Sequence, residues 1–386
     1  MKVTGWNMGA VGACMAGVLG LALSCAPTAD AATFKLNPGE SIQAAVDSAS
    51  PKDKIILYPG DYFGEDGNNA AVRITKPLKI IGKKKGDLKA RILPGTGNQQ
   101  GVLVEPEVDG DPDIEGFLIK GVVVEGFDKN GIWLRHVNNF KILKNESVNN
   151  LENGIFPTLS AKGKVIKNVS YGSEDSALWV EASEDVRVMK NELYAAPTGL
   201  EITVSNNIQM KSNDVHDNTV GVGLYHPNAA ALDPIETMSN WEFTKNHVYN
   251  NNAPNNAPPG SMSANLPAGG GILVLGVDDV TVSDNLVENN DFYGVAIVNW
   301  CLAVAGTAFD CDANPPIVEA VANNNVIVDN TFVNNGTNPE PGHVLEANAA
   351  DITFVQLSTA GNCFAGNTYE TYSSFGNFVP VPPPCP

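Results

Sequence analysis

One residue type returns along this chain at an almost fixed interval. Asn145, Asn168, Asn191 and Asn213 follow one another at 23, 23 and 22 residues, in the settings KILKNESVNN, KVIKNVSYGS, VRVMKNELYA and IQMKSNDVHDN. A second marker keeps the same phase. A small residue opens a strand-like segment 14 residues before each Asn, at Gly131, Gly154, Ala177 and Gly199, and again at Gly221. A repeat of this length, with short alternating segments and no helical period between them, predicts one coil of chain per repeat. Coils of that kind stack into a solenoid, each burying its apolar face only against its neighbours. The expected fold class is therefore all-β: a single right-handed parallel β-helix with an N-terminal capping helix and a disulfide-braced C-terminal tail. One solenoid absorbs the 386 residues that would otherwise suggest two or three domains.

The repeated Asn has an architectural explanation. A coil turns sharply between strands, Asn tolerates left-handed backbone angles, and stacked Asn side chains can form a hydrogen-bonded ladder. The phase also locates departures from the repeat. Extra residues fall around 227–239, within 252–268 and around 299–321. Long excursions from an economical repeat read as walls beside a groove on one face.

Strand alternation assigns sides. Ile132, Ile155, Leu178, Leu200 and Val222 are expected inside, with Leu134, Val180, Ile202 and Leu224. The first outward column is Trp133, Phe156, Trp179, Glu201 and Gly223; the second is Arg135, Thr158, Glu181, Thr203 and Tyr225. Sugar rings present C–H faces to aromatic rings, so Trp133, Phe156, Trp179, Glu201 and Tyr225 form a candidate saccharide platform. Arg135, His136, Glu181, Glu201 and His226 are the candidates for proton chemistry, which the sequence leaves open. Glu181 and Glu201 stand on adjacent coils, where two carboxylates could serve a glycosidase. A lyase or epimerase would need a cation beside a uronate carboxylate, from Arg135, a Lys or a bound Ca²⁺. Asp278-Asp279 and Asp310/Asp312 could bind Ca²⁺ but carry no EF-hand or nonapeptide motif; apart from Ca²⁺, no cofactor is expected.

Near the N-terminus, Ser41 can cap a short helix with Ile42, Ala45, Val46 and Ala49 on one face, a candidate lid for the solenoid. Lys54–Gly60 reads as the first strand and turn. Ahead of these, Lys2 is the only charge before Asp30, residues 8–24 are small and apolar, and Ala29-Asp30-Ala31 is an A-x-A cleavage pattern. Residues 1–31 are read as a signal peptide, 32–362 as the β-helix with its cap, and 363–386 as a Pro-rich tail. Ala22-Leu23-Ser24-Cys25 offers an alternative lipid attachment at Cys25. The expected location is secreted or periplasmic, with the outer membrane as the lipoprotein case. Cys301, Cys311, Cys363 and Cys385 are an even set in an exported chain; local pairing is the simplest of three connectivities. The net charge of −19 argues against nucleic acid and anionic lipid, and against a polyanionic polymer unless a cation bridges the two.

The opening SIQAAVDSASPKDKIILYPGDY resembles the first coil of secreted β-helices. HVYNNNAPNNAPPGSMSANLPAGGGILVLGVDDVTVSDNLVENN resembles a subgroup of exported bacterial β-helix repeat proteins, often encoded beside a second exported protein. That resemblance implies the fold and transfers no catalytic residue. The chain has no Gly-His-Gly of the polygalacturonase-like hydrolases. Asp233-Pro234-Ile235-Glu236 is similar to the Asp-Pro-His-Glu of mannuronan epimerases but lacks its His. The expected function is binding, and possible lyase- or epimerase-like modification, of a polysaccharide along one face. The alternative is a non-enzymatic envelope scaffold docking an exported partner protein.

Overall fold

Every coil of this chain buries β-branched and aliphatic side chains at alternate positions, and the strands stack in register because those positions recur. The computed structural model describes residues 31–225 and 238–385, except 308–309, 314, 316–318, 344 and 378. The expected signal peptide (apart from Ala31), Cys25, His226 and Asp233–Glu236 lie outside the described residues.

Three parallel sheets run the length of the coil stack. The first has 12 strands, from Thr33–Leu36 through Lys141–Leu143, Lys164–Ile166 and Arg187–Met189 to Cys363–Ala365. The second has ten parallel strands, among them Glu146–Val148, Val169–Tyr171 and Glu192–Tyr194, with the short strand Lys84–Lys85 added antiparallel to Leu88–Leu93. The third, of 11 strands, holds the Gly-opened strands, among them Ile132–Arg135, Asn153–Thr158, Ser176–Glu181, Thr198–Thr203 and Val220–Tyr225. The inward assignment holds: Ile132, Leu134, Ile155, Leu178, Val180, Leu200, Ile202, Val222 and Leu224 all lie in one continuous apolar core.

The Asn ladder runs farther than the four copies that revealed it. The Nδ2 of Asn145 donates to Asn168 Oδ1 at 3.1 Å, and the relay continues through Asn191, Asn213, Asn246, Asn285 and Asn330 to Asn367. Each Nδ2 also donates to a backbone carbonyl, as Asn191 does to Val165 at 3.0 Å. The left-handed residue is not the Asn but the one before it, with φ of 56° at Lys144 and 58° at Lys167 and Lys190. The Asn side chain turns inward to satisfy backbone groups that the turn would leave buried and unpaired, so its neighbour takes the left-handed angle. A second ladder, Asn218–Asn251–Asn290–Asn335–Asp351, runs parallel to the first.

The capping helix is Ile42–Ser48, with Ser41 Oγ accepting from the Ala44 amide at 2.9 Å. It packs against Ala70–Ile74, the first strand of the third sheet, where Gln43 Oε1 accepts from the Arg73 amide at 2.8 Å. The first strand is Thr33–Leu36, ahead of the one expected at Lys54, and it pairs with Lys54–Leu57. Cys363–Ala365 and Tyr372–Ser374 still pair within sheets, so the coil stack continues into the segment read as a tail. The disulfides join Cys301 to Cys311 and Cys363 to Cys385, the local pairing.

Candidate functional site: the outer face of the third sheet

Register turns the outward columns into two continuous rows. Trp133 pairs with Phe156, Trp179 with Glu201, Glu201 with Gly223, and Gly223 with Leu273. Beside it run Arg135, Thr158, Glu181, Thr203, Tyr225 and Leu275. Both rows change from aromatic and polar to apolar as the coils advance.

The three rings of the first row are stacked neighbours. Trp133 and Phe156 have centroids 6.0 Å apart at an interplanar angle of 13°, and Phe156 and Trp179 are 4.6 Å apart at 19°. Rings stacked this way cover one another's faces. The row is a ridge of ring edges rather than the flat platform expected from the sequence, because parallel strands put identical side-chain directions one coil apart. Phe156 is buried between its neighbours, and Trp179 is fixed by donating from Nε1 to Thr203 Oγ1 at 2.8 Å.

Beyond the ridge lies a group of carboxyls. Glu181 accepts from Thr158 Oγ1 at 3.2 Å, Glu201 accepts from Ser176 Oγ, and Asp175 accepts from Ser263 Oγ at 2.5 Å. Among the described residues none of the three is paired with a cation. Burial pushes the Glu181 carboxyl up to about 7, opposed by the Thr158 bond and helped by Asp175. Burial likewise drives Glu201 well above the usual carboxylate range, reinforced by Asp175 and then by Glu181. Asp175 is raised by burial and, after the opposing Ser263 bond, by Glu152. Like charges in a desolvated site cannot all ionise, so the group retains protons at neutral pH.

Two of the insertions form a roof; the one expected around 227–239 lies almost wholly outside the described residues. Residues 252–268 bring Ser263 to Asp175, 88 residues away in sequence. Met262 and Leu266 from that insertion, Trp300 and Val304 from the next, and Leu345 pack with Tyr225, Leu273, Leu275 and Tyr293 into an apolar cluster outside the main core. Beneath the roof is a cavity of about 390 Å³ whose lining is mostly apolar, with Glu201 and Tyr225 in its wall. Tyr225 folds back over Gly223, where a Cβ would stand 2.2 Å from its Cζ. Burial first, then Glu201, raises the Tyr225 phenol well above its ordinary value. The Tyr293 hydroxyl is buried with no hydrogen-bond partner among the described residues.

Of the residues expected from sequence, Glu181, Glu201 and Tyr225 are gathered here. Arg135 and His136 are not: Arg135 Nη1 bonds Asp109 Oδ1 at 2.9 Å, and His136 Nδ1 is 3.5 Å from Asp113 Oδ1. Asp175, Ser176 and Ser263 were not singled out by the sequence. Asp175 precedes a Gly-strand equivalent and so was discoverable; Ser263 sits in an insertion without phase. Asp278 and Asp310 serve turns, accepting from the Asn323 amide at 2.7 Å and the Gly306 amide at 2.6 Å. Among the described residues no group of three or more His, Cys, Asp and Glu is arranged to hold a metal ion.

A solenoid of three parallel sheets with inward ladders defines the parallel β-helix class. The family described as right handed beta helix region matches residues 96–233 and 228–379, and the chain belongs to that family. By sequence, no curated protein matches it. Among solved structures it is similar to the A-module of mannuronan C-5 epimerase AlgE4 from Azotobacter vinelandii, with a TM-score of 0.60 and 14% identity over 88% of this chain and 94% of that one. It is also similar to DFA-IIIase from Arthrobacter chlorophenolicus A6 in complex with GF2, with a TM-score of 0.60 and 13% identity over 90% and 92% of the two chains. The Dettilon tailspike protein gives a TM-score of 0.51 at 15% identity, covering 87% of this chain and 58% of that one. At these identities the likeness is one of fold.

Proposed function

We propose that the outer face of the third sheet binds a glycan and modifies it by acid–base chemistry. The observation that carries this reading is the group Asp175, Glu181 and Glu201, buried between an aromatic ridge and a roofed cavity with no cation partner among the described residues. Such a group costs stability, and perturbed carboxyls of this kind concentrate at functional sites. In this reading Glu181, poised near neutrality, delivers a proton to a sugar oxygen. Glu201, in the cavity wall, keeps its proton and orients the sugar by hydrogen bonding. The Trp133–Phe156–Trp179 ridge guides the chain, which lies along the coil axis. That an epimerase of mannuronan and a DFA-IIIase with GF2 bound share this fold supports a carbohydrate over other ligands. Export, expected from residues 1–31, would bring the site to extracellular polymers.

The test is a panel of neutral and acidic polysaccharides incubated with the protein, with products read by mass spectrometry and proton NMR. The expected result is turnover of at least one glycan that Glu181→Gln and Glu201→Gln abolish. Binding of a glycan that survives Trp133→Ala, Phe156→Ala and Trp179→Ala together, with no turnover, would contradict the assignment.

A further inference from the structure

The opposite chemistry is built on another face of the same coils. On the first sheet, Lys141 pairs with Lys164 and Lys164 with Arg187 across adjacent strands. A parallel row stands at the turn that follows: Lys144, Lys167 and Lys190, one per coil. Between the rows runs a half-buried apolar strip, Leu143, Ile166 and Met189, closed by Lys120 at one end and Lys211 at the other. Eight exposed cations, a third of the 24 Lys and Arg in the chain, thus surround three apolar side chains. None of the eight has an ion-pair partner among the described residues. Asp185 and Glu242 touch one corner, in a groove shared with Lys164 and Arg187.

The fold does not impose this sign. Like charges directly opposite on neighbouring strands repel. The turn position taken by Lys144, Lys167 and Lys190 is held by Asp284 and Asp329 in later coils, with the same left-handed backbone. A protein of net charge −19 therefore concentrates unneutralised positive charge on one surface. The net charge, which by itself argues against polyanions, conceals it.

We propose that this face binds a linear acidic polysaccharide, independently of the third-sheet site. Two straight cation rows repeat at about 4.8 Å along the coil axis. That is the pattern met by an extended polymer carrying a negative group on each residue. The apolar strip between them suits the C–H face of a sugar ring. The groove is a line rather than the broad plane that a lipid surface would contact.

The experiment measures binding of the full chain to polygalacturonate and to uncharged dextran by affinity electrophoresis, at about 20 mM and about 200 mM salt. Expected is retention by polygalacturonate alone, lost at the higher salt. The combined substitution Lys144→Gln, Lys167→Gln and Lys190→Gln should weaken it by about tenfold or more. Equal melting temperatures check that these exposed changes leave the fold intact, and Lys141→Gln with Lys164→Gln is the second variant. Failure to bind at low salt, or undiminished binding by both variants, would overturn the proposal. So would retention only by phosphatidylglycerol vesicles, or a self-association that the variants abolish. A loss that Trp179→Ala reproduces would move the polymer to the third-sheet face and also refute it.

Discussion

The first and third sheets are cut from the same coils, yet their outer faces oppose one another in charge and in cost. On the third sheet, Glu181 and Glu201 are buried beneath insertions, and their ionisation is suppressed by lost water. On the first, Lys141, Lys164 and Arg187 stand in open solvent, where water and salt screen their repulsion. The difference shows that a solenoid separates fold from chemistry. The inward positions hold the coil, so each outward row is free to carry its own sign. It also shows where free energy is stored, in the covered face rather than the exposed one.

The largest expected effect breaks the two faces apart. Glu181→Gln or Glu201→Gln should lower glycan turnover by about 100-fold or more. The triple Lys144, Lys167 and Lys190 change should leave that turnover within about twofold. If the lysine change removes turnover as well, the two faces are one site.

Asn191→Ala should do the reverse and damage both faces together. It deletes a buried side chain that donates to Val165 O and Asn213 Oδ1 and accepts from the Asn168 amide. A loss of about 3 kcal/mol in denaturant unfolding is expected from the unsatisfied groups.

The covered face should make stability depend on pH. Glu181 rises from an ordinary 4.5 to about 7 in the folded chain, so the native state holds the proton more tightly. Its contribution is fully present below 4.5 and is lost as the pH rises through about 7. Between those limits unfolding free energy should fall by up to about 3 kcal/mol, and Glu181→Gln should flatten the slope. The lysine variants should leave that slope unchanged.

The smallest effect sharpens the boundary inside the third sheet. Gly223→Ala places a methyl 2.2 Å from Tyr225 Cζ and must displace the ring. A cost of about 1–2 kcal/mol is expected, with a change in Tyr225 fluorescence.

The architecture was legible because a repeat states the same rule many times. The spacing of Asn145, Asn168, Asn191 and Asn213 gave the coil length, and the Gly-opened strands gave the inward and outward rows. What each row does was less legible. Alternation put Trp133, Phe156 and Trp179 on the outside, but only coordinates show the rings stacked on one another's faces. Ser263 reaches Asp175 across 88 residues from an insertion that has no period, so no local pattern could join them. One cation row was visible as the Lys before Asn145, Asn168 and Asn191. It was hidden by a net charge that sums over surfaces which never meet.

The acid–base site requires carboxyls whose ionisation is shifted toward neutral pH because the third-sheet face is covered. The direct measurement is the side-chain ¹³C shift of Glu181 against pH, assigned by difference from Glu181→Gln. A midpoint near 7 is predicted. A midpoint at the ordinary 4.5 would mean that water and counter-charge reach the group, and the acid–base site would be contradicted.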